Sequence, residues 1–175
     1  MAERTLRILL LTDGKPGHET QSRGLCQYFR QLGSVEIETV SVQLKAKALA
    51  RPLLAAAINR DWHDVARKLV SHFYRFSLPA GAFDLVVSAG GDTAFLNIVL
   101  AQQLGAKGVF IGSPRRIQPK KFGWLLTLES YGTDNNIVMP LAPVAVDPHV
   151  MEQAGQQLRQ SLRIGEQRLI AVLIG

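Results

Sequence analysis

A single cysteine, Cys26, stands among 175 residues, which excludes an internal disulfide framework and a cysteine-rich zinc site and suits a reducing cytosol. Cys26 lies in a helical, half-apolar pattern and is read as core packing, not as a nucleophile. Long apolar runs are missing too: nothing approaches the ~18 residues needed to cross a bilayer. The apolar stretch Leu6–Leu11 is too short for a secretory leader. An acid precedes it at Glu3, and Asp13-Gly14-Lys15 ends it without a small-residue cleavage site. His63, His72 and His149 have no metal-ligand spacing with one another or with a carboxylate pair, so no metal is expected. There is no internal repeat and no low-complexity tract. Charged residues make up only 19% against 47% hydrophobic, an ordinary ratio for a packed core and far from disorder.

The charge that is present is unevenly spread. Up to Lys121 there are 17 Lys and Arg against 9 Asp and Glu; from Phe122 onward there are 3 against 5. A basic first two-thirds points to an anionic partner: phosphate esters, an acidic membrane face or nucleic acid. Nucleic acid is not expected, because no recognition motif, zinc-finger spacing or aromatic-glycine sheet pattern occurs.

Hydrophobic patterning predicts strands at Leu6–Leu11, Val35–Val42, Asp84–Ser88, Gly108–Ile111 and Trp124–Leu128. A helix is expected from Glu19 or Thr20 to Gly33, turning Leu25, Tyr28, Phe29 and Leu32 inward. Others follow: a long helical stretch interrupted at Pro52 and Asn59-Arg60, then Thr93–Leu104 and Asp147–Leu162. Strands alternating with helices give a parallel sheet covered on both faces, and right-handed crossovers make it a Rossmann-like, doubly wound α/β/α domain. That domain is expected over residues 1–147. Residues 148–175 are then a linker helix and a strand, Arg168–Ile174, that either begins a second α/β domain or closes the edge of the same sheet.

In such a sheet ligands bind beyond the carboxyl ends of the strands, and three loops there carry unusual residues. The first is Asp13-Gly14-Lys15-Pro16-Gly17-His18. Its glycines let backbone approach a ligand, the following helix offers free N–H groups, and Lys15 adds a cation. His18 is either a general base on a hydroxyl nucleophile or an orienting hydrogen-bonder. The second is Gly90-Gly91-Asp92-Thr93, where Asp92 or Thr93 either faces the ligand or caps the next helix. The third, Ser113-Pro114-Arg115-Arg116, places two guanidinium groups that either grip phosphate or carboxylate or form a solvated basic loop. Together they predict a cleft for an anionic, phosphorylated ligand. It is neither a Walker loop nor a dinucleotide fingerprint, since both glycine spacings are absent.

Residues 44–78 are basic and greasy. From Trp62, the apolar Val65, Ala66, Leu69, Val70, Phe73 and Phe76 fall at helical spacing, opposite Arg60, His63, Arg67, Lys68, His72 and Arg75. This face either packs on the sheet or touches an anionic membrane.

LTDGKPGHETQSRGL, over Leu11–Leu25, resembles the mitochondrial-fission Elm-type family, whose members look like GT-B glycosyltransferases. LVVSAGGDTA, SPRRIQPKKF and the closing RLIAVLIG are weaker matches. The resemblance implies the N-terminal, acceptor-side domain of a two-domain enzyme, with a nucleotide sugar as donor substrate in the other domain and no cofactor. It places a candidate base at His18 and is consistent with a protein of the cytoplasm whose residues 44–78 touch the inner membrane face, the cytoplasmic setting being the one the lone cysteine suits. A non-catalytic interaction or membrane-remodelling module is the alternative. A nucleotide-dependent enzyme such as a kinase is a third, since Gly90-Gly91-Asp92-Thr93 is similar to a kinase Gly-Gly-Asp loop.

Overall fold

A computed structural model describes residues 5–146, 148–165, 170 and 172. The chain divides into two compact units, Met1–Ala145 and Val146–Gly175.

In the first unit, β1 (Leu6–Thr12) is buried on both faces. Ile8 and Leu10 point into one apolar cluster, Leu9 and Leu11 into the other, as the period-2 alternation of a strand requires. Helix α1 (Pro16–Leu32) opens with Pro16, whose missing N–H costs nothing in a first turn. It starts earlier than the sequence pattern suggests, which brings His18 into the helix. Its buried face also differs from expectation. Ser22, Gly24 and Cys26 are covered, Leu25 and Phe29 pack partly against the core, and Tyr28 and Leu32 face solvent. The cause is close approach: a Cβ on Gly24 would lie 2.5 Å from the Val144 carbonyl carbon, so the segment around Val144 crosses α1 backbone to backbone.

Then follow β2 (Val35–Ser41), β3 (Gln43–Leu44), α2 (Lys47–Asn59), α3 (His63–Phe73) and β4 (Tyr74–Arg75). Pro52 does not interrupt α2: its exposed ring lies within the helix, and the break comes only at Arg60–Trp62. The short β3 and β4 pair antiparallel, away from the main sheet. Next come β5 (Leu85–Ala89), α4 (Ala94–Leu104), β6 (Lys107–Ile111), β7 (Trp124–Thr127) and β8 (Asn136–Val138), with a 3₁₀ turn at Pro119–Lys121. Helix α4 is buried continuously from Ala94 to Ala101, so it belongs to the core and not to the surface. From it, Asn97 Nδ2 reaches the carbonyls of Val86 (2.9 Å) and Val109 (3.2 Å), tying β5 to β6 from above.

The six main strands run parallel in the order β2-β1-β5-β6-β7-β8. One face packs on α1, the other on α2, α3 and α4, giving the Rossmann-like three-layer architecture. From β1 the chain steps to β2 on one side and later returns to β5 on the other. The switch point, where such sheets open a crevice, therefore lies beyond the carboxyl ends of β1 and β5.

In the second unit, α5 (Pro148–Ser161) is followed by a turn in which Arg159 Nη1 donates to the Gly165 carbonyl at 2.8 Å. The strand expected over Arg168–Ile174 lies, apart from Ile170 and Val172, outside the described residues.

Candidate functional site

The loop after β1 folds around its own side chains. Thr12 Oγ1 accepts from the Gly14 N–H at 3.1 Å, and α1 then carries His18 back toward Asp13. His18 Nδ1 stands 3.1 and 3.0 Å from the two Asp13 carboxylate oxygens, and the Asp13 side chain is only 4% exposed. An ionised carboxylate can only accept, so Nδ1 carries a hydrogen, and in the neutral ring that leaves the lone pair on Nε2. The imidazole lies directly on the second loop. Gly90 has φ +89°, and a Cβ there would overlap the His18 ring. Only glycine meets both requirements.

Asp92 is the electrostatic centre of the second loop. Its carboxylate, 4% exposed, accepts from Lys47 Nζ and from Arg51 Nη2, each at 2.7 Å, with Lys15 Nζ at 3.6 Å. Burial alone would raise this carboxyl, but the hydrogen bonds and charges of Arg51 and Lys47 outweigh it and hold Asp92 down at about 2. Tyr74 Oη donates to the Asp92 carbonyl at 2.6 Å; burial, and then the charge of Asp92, push its phenol up. Asp92 does not cap α4, whose start has no side-chain cap. Nor does it present itself to an anion: it gathers cations. Thr93 is fully buried and donates to the Ala89 and Gly90 carbonyls, so it shapes the turn without reaching a ligand.

The third loop closes onto the second. A Cβ on Gly91 would lie 3.6 Å from Arg115 Nε, and Arg115 itself adopts φ +50°. Asn59 of α2 fixes the loop through bonds from its Nδ2 to the Arg116 carbonyl and from the Gln118 N–H to its Oδ1, both 2.9 Å. Arg51, Gly91, Arg115 and Arg116 line a cavity of about 170 Å³ at the start of α4. Among the described residues, neither Arg115 nor Arg116 has a carboxylate partner. The structure thus joins the three loops: Gly90 meets His18, Lys15 reaches Asp92, and Gly91 meets Arg115. Gly14 and Gly17 have open space about them. Ser113 accepts from Tyr131 Oη at 3.2 Å.

Lys47, Arg51, Tyr74 and Tyr131 were not singled out by the sequence. One signal was there. Lys47 opens α2, where the helix dipole disfavours a cation, and Arg51 follows at i+4. Such a pair implies a carboxylate close by. The two tyrosines carried no comparable mark.

Within residues 44–78, α2 and α3 bury Ala50, Leu54, Ala57, Ile58, Ala66, Val70 and Phe73 in the core. Val65, expected inward, is exposed together with Leu49, Leu53 and Trp62. Arg60 lies 5.3 Å above the Trp62 ring. Among the described residues no helix is long and apolar enough to cross a membrane, and no cluster of His, Cys, Asp and Glu could hold a metal ion.

The model of the family described as mitochondrial fission ELM1 matches residues 16–175. No curated protein and no solved structure matches the chain.

Proposed function

The chain belongs to the mitochondrial fission ELM1 family, and from its site we propose that it is the acceptor-side domain of a GT-B-like glycosyltransferase. Its cleft would take a phosphorylated acceptor while a second domain holds the nucleotide sugar. The observation that carries this reading is the Asp13–His18 pair, seated on Gly90 beside an arginine-lined cavity. His18 Nε2 takes the proton of an acceptor hydroxyl, and the freed oxygen pair attacks the anomeric carbon of the sugar. The carbon–oxygen bond to the nucleoside diphosphate breaks, and its electron pair leaves on phosphate. Asp13 holds the ring in one tautomer and stabilises the imidazolium that forms. Arg115, Arg116 and the first N–H groups of α4 receive the acceptor's phosphate, and Lys15, Lys47 and Arg51 keep the surrounding field positive. No resident cofactor takes part in this scheme.

The test is nucleoside diphosphate release from a panel of nucleotide sugars by the native protein and by His18→Ala. General-base loss predicts a fall of about 10²–10⁴-fold. Full turnover in His18→Ala removes the base assignment.

A second reading has its own observation. Exposed Leu49, Leu53 and Val65 on α2 and α3, and Trp62 on the turn between them, stand with Arg60 of that turn and Arg67 and Lys68 of α3, the composition of a peripheral contact with an anionic membrane face. If the protein is a non-catalytic membrane module, it binds vesicles rich in anionic lipid undiminished in His18→Ala and turns over no nucleotide sugar.

A further inference from the structure

Beside the arginine-lined cavity lies a larger cleft of about 380 Å³ at the carboxyl ends of β6 and β7. Its buried lining is mainly apolar, with Ile111 and Leu126; exposed or half-buried Gln21, Leu128, Glu129 and Tyr131 line it too; Ser113 lines both cavities. We propose that this cleft seats a neutral, hydroxyl-bearing ring whose phosphate occupies the adjoining arginine cavity, so that the ligand is a sugar phosphate. This rests on the anion-binding reading of Arg115 and Arg116.

Three features of the cleft select that chemistry. Its lining reverses the charge of its neighbour: Glu129 is the ionisable group among polar side chains that are otherwise amide and hydroxyl, and no cation pairs with it among the described residues. A second phosphate is therefore repelled there, while hydroxyls are accepted, since a carboxylate has up to four lone-pair sites for O–H donors. The buried lining is mainly apolar where the more exposed lining is mainly polar. A pyranose divides the same way, with C–H faces and O–H edges. The volume falls within the usual range for small-molecule clefts. The shared wall sets the connection, for Ser113 Oγ and Tyr131 Oη, 3.2 Å apart, stand where ring and phosphate must join.

Position also matters. Gln21 follows His18 by three residues on α1, and residues so spaced lie about 5–6 Å apart on one helix face. A ring hydroxyl against Gln21 is thus within about one helical turn of the imidazole.

Calorimetric titration of the whole chain tests this with five probes: inorganic phosphate, glycerol 3-phosphate, glucose 1-phosphate, N-acetylglucosamine 1-phosphate and uridine 5′-monophosphate. At least one hexose phosphate binds 10-fold or more tighter than inorganic phosphate, and glycerol 3-phosphate gains nothing over phosphate. In Glu129→Ala, an exposed change, that hexose advantage disappears while the phosphate affinity stays. In Arg115→Ala/Arg116→Ala all probes weaken together. Equal binding of phosphate and both hexose phosphates overturns the ring subsite and leaves the anion site standing. Glycerol 3-phosphate matching the hexoses moves the ligand to a lipid-headgroup type and overturns the ring assignment. So does uridine monophosphate binding tighter than both sugars. Absence of all binding overturns the anion reading together with this one.

Discussion

The Cβ that Gly90 lacks would overlap the imidazole of His18. The two residues belong to different strand-to-helix loops, so the ring's position is fixed by the backbone of a segment more than 70 residues away in sequence. Gly90→Ala is expected to push the ring off Asp13 and to strain φ +89°. Stability should fall by about 1–3 kcal/mol. The direct check is the nitrogen NMR spectrum of His18: native protein holds the Nδ1–H tautomer, and Gly90→Ala shows a mixture.

Asp92→Asn leaves Lys47 and Arg51 without their carboxylate. Both cations are nearly half exposed, so the loss is smaller than for a fully buried pair, about 1–3 kcal/mol by urea unfolding.

The same carboxyl gives an acid limb. Its folded value of about 2 lies below the unfolded value of about 3.9. Asp92 therefore contributes stability above about pH 4, and that contribution is lost as pH falls toward 2. Urea midpoints measured from pH 6 down to pH 2 should fall more steeply in native protein than in Asp92→Asn.

Gly24→Ala sets two effects against each other. Helix propensity gains up to about 1 kcal/mol, but the new Cβ meets the Val144 backbone at 2.5 Å, and backbone cannot rotate aside. Overpacking of this kind costs about 1–3 kcal/mol. A net loss of stability is expected, with a lower thermal midpoint as the measurement. A higher midpoint would mean that the crossing segment yields freely.

Cys26 is buried, and desolvation pushes its thiol up to about 11 despite Arg30 and Arg23 nearby. At pH 8 the thiolate is a minor species, so iodoacetamide should label native protein at least about 10²-fold more slowly than protein in urea.

These predictions divide along the line between what pattern reveals and what only folding reveals. The parallel sheet was legible because β1, β5 and β6 are short apolar runs closed by glycine-bearing loops, and the loops followed from the rule that such sheets bind at their carboxyl edge. Strand β8, only three residues of Asn-Ile-Val with two exposed, has too little periodicity to be seen. The inward face of α1 was misread because hydrophobicity favours Tyr28 and Leu32, whereas backbone crossing at Gly24 rewards the smallest side chain. Asp92's role was hidden for a different reason. Its partners come from α2, 41 and 45 residues earlier, and no local pattern records a long-range ion pair.

The strand order carries a consequence for how the chain is made. β1 pairs on one side with β2, Ile8 opposite Ile37, and on the other with β5, Ile8 opposite Leu85. At translation rates of about 5–20 residues per second, several seconds separate the emergence of β1 from that of its second neighbour. During that interval Leu9, Leu10 and Leu11 line a strand with one unpaired edge, the kind of template on which nascent chains aggregate. Slow synthesis between residues 45 and 85 prolongs the hazard, and a chaperone holding that stretch shortens it.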